Sequence, residues 1–208
     1  PEEFRAACEI LRPLAANPDF KFIYLPGNHD AYTASSACRA SLEQAFEFLN
    51  RQSYTLEDLP SVVETQEASL LLLNEALPTP IWSSAGWLDH ASQQKLTTWL
   101  TQTAPSKSKL LLGHYPTLRA DGSALPRRRR LKNGEIIREA LRQGKIDVSL
   151  CGHIHDAFVH KEKNGAMEIC SGSLTTTGLI NIIDIKTCPE RQIEQDWMDV
   201  HLNPHNAD

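Results

Sequence analysis

The sequence predicts an α/β fold, and three observations predict it. Stretches with apolar residues at helical spacing alternate with apolar runs of strand length. Three of those runs end at a glycine followed by an asparagine or a histidine: Leu25-Pro26-Gly27-Asn28-His29-Asp30, Leu112-Gly113-His114-Tyr115-Pro116 and Leu150-Cys151-Gly152-His153-Ile154-His155. The 208 residues are 41% hydrophobic, enough for one domain with a sizeable core at 1–200, followed by a polar tail at 201–208.

In chain order, residues 2–16 place Phe4, Ala7, Leu11 and Leu14 at helical spacing, and Pro18 stops that helix. Phe20 to Leu25 then reads as a buried strand delivering the first motif. Residues 31–40 read as a rim loop, where Tyr32 either lines a pocket or packs locally. Ser41 is the expected cap of a helix with Leu42, Ala45, Phe46 and Leu49 inside. Ser61–Thr65 and Ala68–Asn74 form a hairpin or meander. Trp82 to Trp87 is an aromatic loop, with Trp87 suited equally to stacking on a substrate and to packing. Asp89 caps a helix over about 90–102, and His90 is an exposed helix-start residue. Lys109–Leu112 is the strand of the second motif. A polar loop over 117–132 precedes a helix carrying Ile136, Ile137, Ala140 and Leu141, which Gly144 stops. Asp147–Cys151 is the third motif strand. Residues 156–171 form a hairpin turning at Asn164-Gly165, with His160 expected to face solvent. Gly178–Ile185 and Gln192–Val200 are the last strands.

The three motif ends share a chemistry. His153 and His155 are two residues apart, so in extended chain both rings point one way. Neutral imidazoles suit Zn, Fe, Mn or Ni, and an asparagine oxygen suits the harder of these ions. A His-x-His pair alone also fits surface histidines, and Gly-Asn-His-Asp alone also fits an Asx turn. Three such strand ends in one chain point to a shared metal site.

These motifs, Gly27-Asn28-His29-Asp30, Gly113-His114-Tyr115-Pro116 and Gly152-His153-Ile154-His155, resemble the last three of the calcineurin-like metallophosphoesterases. The resemblance runs from about residue 20 to about residue 185. It implies a four-layer α/β/β/α sandwich of mixed sheets. It implies two divalent transition-metal ions (Mn, Fe, Zn or Ni), with Asn28, His114 and His153 on one and His155 on the other. His29 would be the acid beside the leaving group, oriented by Asp30, and Gly27, Gly113 and Gly152 would shape the loops. A hydroxide held by the metal pair would hydrolyse phosphate mono- or diesters. The family's opening Asp-x-His and Gly-Asp-x-x-Asp motifs do not precede Asn28 here. The expectation is therefore a chain lacking its first strands, inactive by itself and prone to associate through uncovered apolar edges.

Composition narrows the partners. A net charge of −5 speaks against general nucleic-acid affinity. The run Arg127-Arg128-Arg129-Arg130, with Arg119 and Lys132, is either a solvated loop, a phosphate-holding loop beside the site, or a nucleic-acid contact. A small phosphate ester is the first expected partner, and a nuclease or an inactive binding scaffold are the alternatives. Five scattered cysteines without a Cys-x-x-Cys pair favour reduced thiols and a cytoplasmic home. Cys151, two residues before His153, reads as a buried strand thiol. No apolar run approaches the ~18–20 residues of a membrane span.

Overall fold

The computed structural model describes residues 1–186 and 192–200. The expected tail at 201–208 lies outside them.

The organising element is a mixed six-stranded sheet of order β1-β2-β4-β6-β8-β7. Its members are β1 (Ser61–Glu64), β2 (Ala68–Leu72), β4 (Ser108–Leu112), β6 (Val148–Cys151), β7 (Ala157–Lys161) and β8 (Met167–Ser171). Strands β2, β4, β6 and β8 pair in parallel, while β1 and β7 add antiparallel edges. The parallel strands read as continuous apolar runs because both of their faces are covered.

Alternation along the strands divides the core in two. Leu71 and Leu111 face one side, where Leu96 and Trp99 of α4 (His90–Gln102) and Ile137, Ala140 and Leu141 of α5 (Glu135–Arg142) pack on them. Leu70, Leu110, Leu112, Val148 and Leu150 face the other. A two-stranded ribbon, β9 (Leu179–Lys186) with β10 (Gln192–Asp199), covers that side with Ile183, Ile185, Ile193 and Trp197. Each fully buried leucine or isoleucine contributes roughly 1.5–3 kcal/mol. A short pair, β3 (Gly86–Trp87) with β5 (Leu131–Lys132), ties the aromatic loop to the arginine loop.

Most helices start and stop as the sequence expects. The Asp89 carboxylate caps α4 by accepting from Ser92 N–H at 2.7 Å, and Gly144 takes a left-handed φ of 66° after α5. The first helix, α1 (Glu2–Ala16), matches its predicted span but leaves Ile10 and Leu14 exposed.

Three expectations change. Phe20–Leu25 joins no sheet among the described residues, because no neighbouring strand offers it a ladder. The Asn50 side chain takes that role, accepting from Tyr24 N–H (2.9 Å) and donating to its carbonyl (3.0 Å). Helix α3 (Ser36–Leu49) starts well before Ser41, whose hydroxyl donates to the Ala37 carbonyl inside the helix. Its predicted inner face of Leu42, Ala45, Phe46 and Leu49 is buried. His160 is half-buried, with Nε2 3.2 Å from the Arg138 guanidinium that also pairs with Glu162.

Candidate metal centre

Asn28 opens a single turn of helix, α2 (Asn28–Ala31), and is 3% exposed. Its Nδ2 donates to the Tyr32 hydroxyl, which turns Oδ1 toward two imidazoles. His114 Nε2 lies 2.6 Å from that oxygen and His153 Nδ1 lies 3.1 Å from it. Three side chains from residues 28, 114 and 153 thus meet around one point.

The protons decide what this point can hold. His153 Nε2 sits 2.9 Å from the Arg129 carbonyl, which can only accept, so Nε2 carries the proton. Burial lowers the His153 pKa to about 4, outweighing the Arg129 carbonyl, with Arg129, His155 and His29 adding to the fall. The ring is therefore neutral, and Nδ1 is a bare lone pair facing a second acceptor, Asn28 Oδ1. Two facing acceptors repel unless a cation lies between them. The same arrangement, one imidazole nitrogen held by a carbonyl and the other free, is how histidines are oriented toward metals. His114 is also neutral: burial, then the charges of His153, His29 and His155, bring its pKa down to about 3. Asn28, His114 and His153 therefore fit a divalent ion.

His29 and His155 form a second, looser half. Both are exposed, and their ring centroids are 6.3 Å apart. Tyr32 stacks at 4.9 Å from His29. Together with Asn28, His153, Ser84 and Arg129 these residues line a cavity of about 190 Å³. Among the described residues, no three His, Cys, Asp or Glu side chains gather as a metal-binding group.

Two local expectations are corrected. His153 and His155 are not in extended chain. Both adopt left-handed backbone, φ 69° and 56°, so a tight bend rather than strand alternation aims their rings. Asp30 does not hold the His29 ring. Its Oδ2 accepts from Gly27 N–H at 2.8 Å, so it secures the turn that presents Asn28.

Two motif glycines are required by space. A Cβ at Gly27 would lie 2.7 Å from the His114 ring, and one at Gly113 would lie 2.7 Å from the Glu75 carboxylate. Gly152 faces no such crowding, since a Cβ there would meet nothing closer than 3.9 Å.

A model of the calcineurin-like phosphoesterase family matches residues 3–157. The chain belongs to that family. No curated protein matches it in sequence. Among solved structures, a provisionally named 5'-nucleotidase from Staphylococcus aureus, in complex with alpha-ketoglutarate, is similar in fold, with a TM-score of 0.56 at 12% identity. The likeness covers 91% of this chain and 40% of that one. No helix among the described residues is long and apolar enough to cross a membrane.

In this chain, residues that the motifs do not reveal support the site. Glu75, 2% exposed, accepts from His114 N–H (2.8 Å) and Tyr115 N–H (3.0 Å) through Oε2. Burial raises its pKa to about 7 against the pull of those two bonds. Glu168, 1% exposed, accepts from the backbone and hydroxyl of Thr117 and from Leu118 N–H. Two buried carboxylates therefore hold the loop that carries His114. The signal for Glu75 was slight: an acidic residue just past an apolar run. Trp87 lies away from the cavity, with the Lys132 ammonium 5.9 Å from its ring. Tyr32 and Arg129 do line the cavity.

Proposed function

We propose that this chain hydrolyses phosphate mono- or diesters with divalent transition-metal ions, Mn, Fe, Zn or Ni, of which Asn28, His114 and His153 hold one and His155 helps hold a second. The observation that supports this reading is the bare His153 Nδ1 facing Asn28 Oδ1, with His114 Nε2 on the same oxygen. A bound divalent ion supplies Lewis acidity to the phosphoryl group. The chain supplies the rest. Tyr32 and Glu75 hold Asn28 and His114 in place. Arg129, with its charge at the cavity wall, receives phosphoryl oxygens. His29, exposed at the mouth, gives a proton to the leaving oxygen. Because no three His, Cys, Asp or Glu side chains gather as a metal-binding group among the described residues, these residues alone are expected to be a weak catalyst. We place the fold's single domain at 1–200.

The test is hydrolysis of p-nitrophenyl phosphate and bis-p-nitrophenyl phosphate by the whole natural protein, with each ion and after chelation. Metal-dependent turnover that Asn28→Ala abolishes is expected. Turnover that survives loss of Asn28, His114 and His153 in turn would sink the reading. The exposed arginine run favours a nuclease as second reading, and a steep fall of activity with salt on oligonucleotides, but not on the small esters, would mark it.

A further inference from the structure

We infer that a second pocket beside the metal centre binds the rest of the substrate, and that this substrate is a nucleoside diphosphate or a close relative: a second anionic group next to the phosphoryl group, and a planar apolar ring beyond it. The inference rests on the phosphoesterase reading above and extends it from an ester to an anhydride: water attacks the terminal phosphorus, the phosphoanhydride P–O bond breaks, and the nucleoside monophosphate leaves with that oxygen, giving inorganic phosphate and releasing a proton to solvent. A cavity of about 480 Å³ is lined by Tyr32, Trp82, Ser84, Arg119, Arg128 and Arg129, with Ile81 at its edge. Tyr32, Ser84 and Arg129 also line the cavity of His29, His153 and His155, so the two cavities share a wall.

The lining has two chemistries side by side. Trp82 is 67% exposed and Ile81 is 99% exposed, a large apolar area left in water at a pocket mouth. An exposed indole offers a stacking face to any planar ring. Across from it are guanidinium groups without acidic partners. Among the described residues Arg119, Arg128 and Arg129 form no ion pair. Asp121 is held low by hydrogen bonds from Ser123 first and by Arg119 only to a lesser degree, and does not pair with it. Uncompensated guanidinium forks match phosphate oxygens.

Backbone bonds fix the pocket's shape. The Arg128 carbonyl accepts from Ser84 N–H at 2.8 Å, and the Arg130 carbonyl accepts from Gly86 N–H at 3.3 Å. The aromatic loop and the arginine loop are thus laced together, and side-chain truncation leaves the lacing intact. The volume suits one mononucleotide-sized group rather than a strand, and the chain's net charge of −5 disfavours a long polyanion.

The experiment compares three substrates of the whole natural protein: adenosine 5'-diphosphate, pyrophosphate, which has the anions without the ring, and phenyl phosphate, which has a ring without the second anion. Arg119→Ala with Arg128→Ala should lower kcat/KM by about tenfold or more for the first two and leave phenyl phosphate within about twofold. Trp82→Ala should lower it by about fivefold or more for adenosine 5'-diphosphate and spare pyrophosphate. Equal losses on all three substrates, or none, overturn the pocket while leaving the phosphoesterase reading standing. Binding is read separately on the metal-free chain, as quenching of tryptophan fluorescence by adenosine 5'-diphosphate that Trp82→Phe removes. Absence of quenching overturns the pocket even where hydrolysis is seen. Quenching without hydrolysis of any ester upholds the pocket and removes the catalytic reading. Tighter competition by an oligonucleotide than by adenosine 5'-diphosphate overturns the small-ligand assignment.

Discussion

The two halves of the candidate metal centre are built differently. Asn28, His114 and His153 are partly or wholly buried, each with a second partner holding it: the Tyr32 hydroxyl, the Glu75 carboxylate under the His114 backbone, and the Arg129 carbonyl. His29 and His155 are exposed and have ring contacts alone. A buried half with fixed orientation can select an ion before substrate arrives. An exposed half takes its final geometry from what binds there. Preorganisation is thus concentrated where desolvation is greatest, because there an unpaired polar group costs most.

This contrast can be broken or sharpened by experiment. The largest effect is expected from His114→Ala, which removes a proposed ligand of the buried half. Affinity for the first ion, read by calorimetric titration, should fall by about 100-fold or more, whereas His155→Ala should leave that first affinity within a few-fold. Equal losses would erase the distinction.

Next is Glu75→Ala. It leaves the His114 and Tyr115 N–H groups without their acceptor in the core, at a cost of roughly 2–4 kcal/mol in urea denaturation. Glu75→Gln keeps an acceptor oxygen and should lose less.

Acid should separate the halves as well. The folded-state pKa values of His114 and His153, about 3 and about 4, lie below the ordinary 6.5. The unfolded chain therefore binds more protons between those values and 6.5, and the metal-free fold should lose stability as pH falls through that window. Glu75 acts with opposite sign. Its folded pKa of about 7 exceeds the usual 4.5, so its contribution is present below 4.5 and lost as pH rises through 7. Melting temperatures against pH should show a shallower acid limb in His114→Ala than in the unsubstituted chain.

The smallest effect is at the bend. His155 carries a φ of 56°, a conformation that costs a side-chain-bearing residue ~1 kcal/mol. His155→Gly should therefore melt higher than His155→Ala, by a few degrees.

Much of this was legible beforehand, for stateable reasons. Helices α1, α4 and α5 and the β7–β8 hairpin have strong periodicity or explicit caps and turns, and they match. Asn28, His153 and His155 line one cavity with His29, and His114 meets Asn28 beside it; His114 and His153 follow neighbouring parallel strands, whereas Asn28 comes from a segment outside the sheet. What failed had no local signal. Phe20–Leu25 has a strand's composition, but a strand exists only with a partner. The left-handed bend at His153 and His155 is set by tertiary contacts, since histidine tolerates positive φ better than most residues but does not demand it. Glu75 and Glu168 look like ordinary polar residues at strand ends. Their burial follows from the His114 loop folding over them, a long-range fact.

The grip of Asn50 on Tyr24 has a consequence for how the molecule comes apart. The segment leading to Asn28 is held to the end of α3 by the Asn50 amide and by the Tyr24 ring against Phe46, outside the sheet that carries His114 and His153. Gentle warming should release this tether while the strands still hold. A protease would then cut between α1 and α3 ahead of global melting, and cation capture would vanish several degrees below the loss of circular-dichroism signal.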